Sequence, residues 1–356
     1  MRELESMKKK IFPLLSTILL IGILLSACTA ATASSWGSVS IADTAIFYAG
    51  GTQVFALRPD NGNVIWSYPE KAAAGQSFLA APAVAGTQVI AGDYIGGLVS
   101  LNATDGSVNW TFSDAKSKYV GSALVTPDLI IAPNADNHLY ALDLQGKLKW
   151  SFKASSSFWS KPVIDATSVF ASSLDHFLYA VDVRNGELVW KVDLGAPLVS
   201  SPLYDNGVLY QGSITGDMSA VDAATGKVIW TQKLGVGLWS TPILTGTDII
   251  FGDQTSKIYI LSTTDGSISK TIEVGAAAIG NGASLPEGTA FGLENGDLVL
   301  ISPDGSVLWT RTIGGKLYSN LAANSSVLLV VESQGDKPLV ALDTNGTEVW
   351  YFAGKK

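Results

Sequence analysis

Cysteine, histidine, methionine and charge are all scarce in this chain. Among 356 residues there are one Cys, two His and three Met, and only 15% are charged. A single thiol excludes disulfide frameworks, cysteine-based metal sites and paired-thiol redox chemistry. Basic residues number 23 against 31 acidic ones, a balance that gives no footprint for nucleic acid. Beyond residue 27 no stretch carries a helical apolar stripe, so helical architectures are excluded as well. What is abundant is glycine, with 36 copies, and tryptophan, with 10.

The N-terminus reads as an export signal. Lys8, Lys9 and Lys10 precede an apolar run from Ile11 to Leu25, which is short for a membrane-spanning helix. The run ends in Leu25-Ser26-Ala27-Cys28, a pattern similar to a bacterial lipobox, in which the thiol is acylated and becomes the mature N-terminus. The expected division is a lipoprotein signal peptide over 1–27, a lipid-anchored tether over 28–35 and a folded domain over 36–356. The tether, Cys28 to Ser35, reaches at most about 28 Å when extended. Without the leader, 19 basic face 29 acidic side chains, a net charge of −10.

From Trp36 onward the chain repeats itself. A glycine turn is followed four residues later by Trp, as in DNGNVIW (60–66), RNGELVW (184–190) and TNGTEVW (344–350). The glycines are Gly62, Gly106, Gly146, Gly186, Gly226, Gly266, Gly305 and Gly346, spaced by 44, 40, 40, 40, 40, 39 and 41 residues. The tryptophans are Trp66, Trp110, Trp150, Trp190, Trp230, Trp309 and Trp350, and Lys270 stands where the sixth would be. Each unit holds four short strand signals, such as SKPVID, SVFASS, FLYAVDV and ELVWKV between 160 and 192. Four antiparallel strands per unit of about 40 residues predict an all-β, eight-bladed propeller. The phase of the repeat points to closure by packing of blade 8 on blade 1, with a swapped first strand as the alternative. The recurrent Trp, on each outer strand, is expected to dock on the neighbouring blade, with Lys270 marking the sixth blade as the weakest part of that girdle.

The motifs ALDLQGKLKW (141–150), AVDVRNGELVW (180–190), AVDAATGKVIW (220–230) and ALDTNGTEVW (341–350) resemble the tryptophan-docking repeat of the pyrroloquinoline-quinone-like propellers. The resemblance covers essentially all of 36–354. It implies one of three activities. Quinoprotein dehydrogenases add long insertions, an adjacent cysteine pair and a carboxylate set for calcium; none of these can be mapped here, so no quinone cofactor and no enzyme activity are expected. BamB-like lipoproteins of outer-membrane protein assembly resemble the chain in lipobox, mature size and blade number. That likeness implies a membrane-anchored protein-binding scaffold whose partner is a membrane-embedded or membrane-associated protein. Surface-tethered ligand- or signal-sensing propellers are the alternative.

Two groups of residues stand out beyond the docking set. His138 and His176 are read as equivalent positions in successive repeats, where turn-flanking roles are expected and no metal is assigned. The residues opening each inner strand are Trp36, Leu79, Val120, Trp159, Val199, Trp239, Ile279 and Tyr318. These lie on the same face as the turns between second and third strands, which hold Asp93, Asp136, Asp175, Asp253 and Glu294. These positions are read either as a plug of the central channel or as a binding face, the candidate face being Trp36, Trp159, Trp239 and Tyr318 inside an acidic rim, for which a basic partner surface is expected.

Overall fold

The middle strands of each repeat are almost wholly apolar, and the reason is that both their faces are covered. In the fourth repeat the strands are Val163–Ile164, Ser168–Ser172, Phe177–Asp182 and Leu188–Asp193. Ser168–Ser172 is buried throughout and Phe177–Asp182 in its four central residues, whereas Leu188–Asp193 alternates between exposed and half-buried positions toward its end. Period-two alternation is thus confined to the outer strand; the inner ones read as continuous apolar runs, as two-sided burial requires.

The computed structural model describes residues 37–73 and 75–354. The expected leader, Cys28, the tether and Trp36 lie outside these residues. Eight four-stranded antiparallel sheets follow one another, each with its strands in sequence order. The first strand, Ser38–Ile41, pairs with Ile46–Gly50, and the last, Glu348–Phe352, pairs with Leu339–Leu342. Among the described residues no strand is exchanged between blades 1 and 8.

The core lies between blades. One cluster joins Ile131, Leu139 and Ala141 of blade 3 to Val169, Tyr179 and Val181 of blade 4. Another joins Val39, Ile46 and Phe55 of blade 1 to Leu329, Val331 and Phe352 of blade 8, and closes the ring.

The turn between third and fourth strands is the most regular local feature. In blade 4, Gly186 has φ 76°, a left-handed conformation that glycine adopts without a Cβ penalty. Its N–H donates to Asp182 O at 2.9 Å, and the Asp182 carboxylate accepts from Arg184 N at 2.8 Å. The ladder slips by one residue between Ala180 and Val181, a bulge that strengthens the local twist. The same slip occurs in all eight blades. Asp143, Asp222 and Asp343 also accept turn amides, at 2.9, 2.8 and 2.8 Å.

Six of the eight turn glycines form the floor under an indole of the preceding blade. A Cβ on Gly186 would lie 2.7 Å from Trp150 Cε3, and one on Gly226 2.7 Å from Trp190 Cδ2. The indole N–H then bonds a carbonyl of the next blade: Trp66 to Ala103, Trp110 to Leu144, Trp150 to Val183, Trp190 to Ala223 and Trp230 to Thr263, at 2.9–3.0 Å. Trp350 reaches Pro59 O at 2.9 Å. Only Trp66, Trp150 and Trp350 are buried; Trp110, Trp190, Trp230 and Trp309 are half-buried.

Two blades depart from this pattern. In blade 6 the Lys270 stem covers Gly305 and its Nζ donates to Asp304 O at 2.9 Å. In blade 7 the Arg311 stem lies nearer to Gly346 than Trp309 does, and Arg311 Nη2 donates to Asn345 O at 3.1 Å. Trp309 instead lies beneath the Arg311 guanidinium, 5.4 Å from its ring centre. The expected docking role of Trp309 is therefore shared with Arg311, which bonds Asn345 O, one residue beyond the position that matches Leu144 in blade 3.

Candidate binding face

The segment leading into each blade interlocks with the turn between second and third strands of the blade before it. Tyr119 N donates to Asp93 O, Phe158 N to Asn134 O, Leu198 N to Ser173 O, Leu238 N to Ser213 O, Ala278 N to Asp253 O and Leu317 N to Leu293 O, at 2.9–3.3 Å. The same turns also bond the lead-in of their own blade: Tyr94 N donates to Ser77 O and Glu294 N to Ala277 O. Trp159, Trp239 and Tyr318 follow directly in these lead-in segments. They precede their first strands, Val163–Ile164, Ile243–Thr245 and Ala322–Ala323, rather than opening them.

The three aromatics belong to blades 4, 6 and 8 and differ in setting. Trp239 is 37% exposed. Trp159 is half-buried, with Lys118 Nζ 5.8 Å from its ring centre, and its buried Nε1 has no partner among the described residues. Tyr318 donates to Glu294 Oε1 at 2.8 Å, and Lys316 Nζ donates to the same oxygen at 3.0 Å and to Tyr318 Oη at 2.8 Å. The Tyr318 hydroxyl, and then the Lys316 ammonium, hold the Glu294 carboxyl below its ordinary range.

The acidic rim is not what the sequence led one to expect. Asp93 is 5% and Asp253 0% exposed. Asp93 Oδ1 accepts from Ile95 N and Gly97 N at 3.0 and 2.7 Å. Asp253 accepts from Thr255 N, Thr255 Oγ1, Lys257 N and Tyr259 Oη. Asp136 binds Lys116 N, His138 N and Tyr140 Oη, and Asp175 binds Ser155 N, Phe177 N and Tyr179 Oη. Short acidic side chains at turn positions satisfy local amides, so these four carboxylates are internal struts. Glu294 alone reaches outward, and it is paired with Lys316. The set also mixes positions: Asp93 and Asp253 match Asn134 and Ser173 in the backbone pattern, two residues ahead of Asp136 and Asp175.

The histidines need the same correction. Asn134 N bonds His138 O while Ser173 N bonds Phe177 O, so His138 is the counterpart of Phe177. His176 instead has φ 79°, matching Asn137 at 74° and Ser256 at 87°. Aligning the LYA triplets of NADNHLYAL and SSLDHFLYAV would have exposed the one-residue offset. Among the described residues no group of three or more His, Cys, Asp or Glu is placed to hold a metal.

Several residues of this face escaped sequence reading. Tyr94 and Ile95 form a turn tip and are 42% and 70% exposed. Lys118 Nζ donates to Tyr94 Oη at 2.6 Å and lies 4.4 Å from that ring's centre. Lys161, two residues after Trp159, is pushed down in pKa by burial. The overlooked signal for the tip was an apolar pair where five other turns carry Ala-Asp, Leu-Asp, Ile-Thr, Gln-Thr and Glu-Asn.

The sequence model of the family described as outer membrane protein assembly factor BamB matches residues 22–176 and 175–275. The chain belongs to the BamB family. Among solved structures, BamB from Moraxella catarrhalis superposes with a TM-score of 0.73 at 18% identity, over 85% of this chain and 92% of that one. The computationally designed Ika8 protein gives 0.72 at 11% identity, over 90% of this chain and 98% of that one. With 1676 solved chains matching, likeness of this kind fixes the architecture and leaves function to be argued from the family and the face. No curated protein sequence matches the chain.

Proposed function

We propose that the protein is a lipid-anchored, extracytoplasmic scaffold that binds a membrane-embedded or membrane-associated protein during outer-membrane protein assembly. The observation that carries this reading is the BamB family match, which spans most of the chain. In this reading residues 1–27 are removed on export, Cys28 is acylated, and 28–35 tether the ring of 36–356 to the membrane. The scaffold reading calls for no catalytic group and no quinone cofactor.

The architecture supports the same conclusion. A ring whose cores lie between blades is rigid, and a rigid repeat ring presents a pre-formed surface. The face described above offers exposed aromatics on backbone that is cross-braced between blades, the composition of an interface centre. A tether of at most about 28 Å keeps that ring close to the membrane and its proteins.

The test is photo-crosslinking in cells from positions 159, 239 and 318. Controls belong on exposed residues of the opposite turns, Gln145 and Ala224, because Gly106 and Gly226 lie beneath Trp66 and Trp190. Capture of a barrel-assembly subunit from 239 and 318 is expected. Capture from 145 and 224 alone would overturn the assignment of this face.

A further inference from the structure

The propeller repeats one lysine site twice and completes it only once. Tyr119 N bonds Asp93 O and Leu317 N bonds Leu293 O, so the residues just before, Lys118 and Lys316, occupy equivalent positions. The residues just after the acceptors, Tyr94 and Glu294, are equivalent in turn. In the second site Lys316 meets a carboxylate, Glu294, at 3.0 Å. In the first, Lys118 meets the Tyr94 hydroxyl at 2.6 Å and has no carboxylate within ion-pair distance among the described residues.

The surroundings of Lys118 explain why none is supplied from within. Asp93 and Asp136, the acids of the two turns that bond this lead-in segment, are taken up by backbone amides. The exposed charges of the loop are Lys116 and the single acid Asp114. Around Lys118 the surface is aromatic and aliphatic: the Tyr94 ring at 4.4 Å, the Trp159 ring at 5.8 Å and the tip of Ile95, which is 70% exposed. A cation flanked by uncovered apolar surface is complementary to a carboxylate that carries an apolar neighbour.

We propose that Lys118 anchors a docking site for an acidic, apolar segment of a partner protein, whose carboxylate takes the place that Glu294 fills beside Lys316. Tyr94, Ile95 and Trp159 form the apolar floor. The proposal rests on the scaffold reading above. It also reverses the charge expected from sequence: the partner segment is acidic at this point, not basic.

The experiment places a photo-crosslinking residue at position 95 of the full chain in cells and sequences the captured peptide. A segment with Asp or Glu within a few residues of the attachment point is expected. Yield should fall at least tenfold in Lys118→Gln, which removes the cation, and in Tyr94→Glu, which supplies the missing carboxylate from within. Lys118→Arg should retain it, with melting midpoints unchanged throughout. The same variants are read from position 239, so that a perturbing label at 95 does not decide the result. A captured segment without a carboxylate, or undiminished yield in Lys118→Gln from both positions, overturns the proposal. Capture from 239 and 318 that is indifferent to all three variants refutes this site while leaving the scaffold reading intact, whereas no capture from any position of the face refutes the scaffold reading itself.

Discussion

Trp350 and Pro59 are 291 residues apart in sequence and 2.9 Å apart in space, indole N–H to carbonyl oxygen. This bond closes the ring with the geometry that other blades use between neighbours. A Cβ on Gly62 would lie 2.4 Å from Trp350 Cε3, so the indole lies flat on a turn that tolerates no side chain. Trp350→Ala should cost about 3–4 kcal/mol in denaturant unfolding, since the ring is 8% exposed and its removal leaves a cavity. Trp350→Phe should cost about 1 kcal/mol for the lost hydrogen bond and some packing. Gly62→Ala should cost at least about 1 kcal/mol from its φ of 69° alone. Equal midpoints for wild type and Trp350→Ala would show that the terminal blades are held by their apolar core without the dock.

Blade 6 yields a second prediction. Lys270 already does in part what Trp does elsewhere, covering Gly305 with its stem and bonding Asp304 O. The methyl groups of Ile260 and Ile272 lie beside the same glycine, an apolar setting that favours an indole. Lys270→Trp should therefore stabilise the protein by about 1 kcal/mol, and Lys270→Ala should destabilise it by a similar amount. In blade 7 Trp309→Ala should cost less than Trp150→Ala, because Arg311 remains over Gly346 and Trp150 is 6% exposed. The comparison of urea midpoints decides both.

The repeat made blade number and strand count legible, because a glycine with positive φ and an indole four residues later are demanded by one local geometry. The regularity stopped where packing chooses among several adequate side chains. Nothing in PDGSVLWTRT announces that Arg311 covers Gly346 more closely than Trp309 does. Asp253 and Glu294 looked alike as acidic turn residues, yet one accepts four hydrogen bonds inside its turn and the other reaches out to Lys316. A one-residue offset between turns was enough to misalign His138 with His176. Functional surface was harder to read than fold because exposure of Tyr94 and Ile95 depends on the tip conformation, not on composition.

That contrast between the two acids can be measured. Asp253→Ala leaves two backbone amides and two hydroxyls without their acceptor and should cost about 1–3 kcal/mol. Glu294→Gln retains the side-chain oxygen and should leave the unfolding midpoint close to that of wild type, as for exposed pairs. If Asp253→Ala proved as stable as wild type, its carboxylate would not be a strut and the acidic-rim reading would return.

Glu332 provides a pH signature. It is 7% exposed, and burial pushes its carboxyl above the ordinary range, only partly offset by Lys337. A carboxyl with a raised folded-state pKa holds its proton more tightly when folded. Its contribution to stability is complete below the ordinary pKa of about 4.3 and declines as pH rises through the raised value. Glu332→Gln, neutral at every pH, should raise the melting midpoint at pH 7 and lose that advantage below about pH 4. A gain of equal size at both pH values would point to packing rather than ionisation.

The last prediction concerns anchorage. Cys28 lies outside the described residues, and its expected role comes from Lys8–Lys10, the apolar run to Leu25 and the small residues Ser26 and Ala27 before it. One acyl chain gives only marginal membrane binding, whereas two or three, each adding about 0.8 kcal/mol per buried CH₂, hold a protein firmly. Cells fed labelled palmitate should therefore label the wild-type chain and leave Cys28→Ser unlabelled. The wild-type protein should sediment with membranes after a high-salt wash, since an acidic domain gains nothing from anionic lipid. Cys28→Ser should be found in the soluble fraction or retain its leader. Palmitate labelling that persists in Cys28→Ser would remove the anchor, and with it the argument that the tether keeps the ring beside a membrane protein.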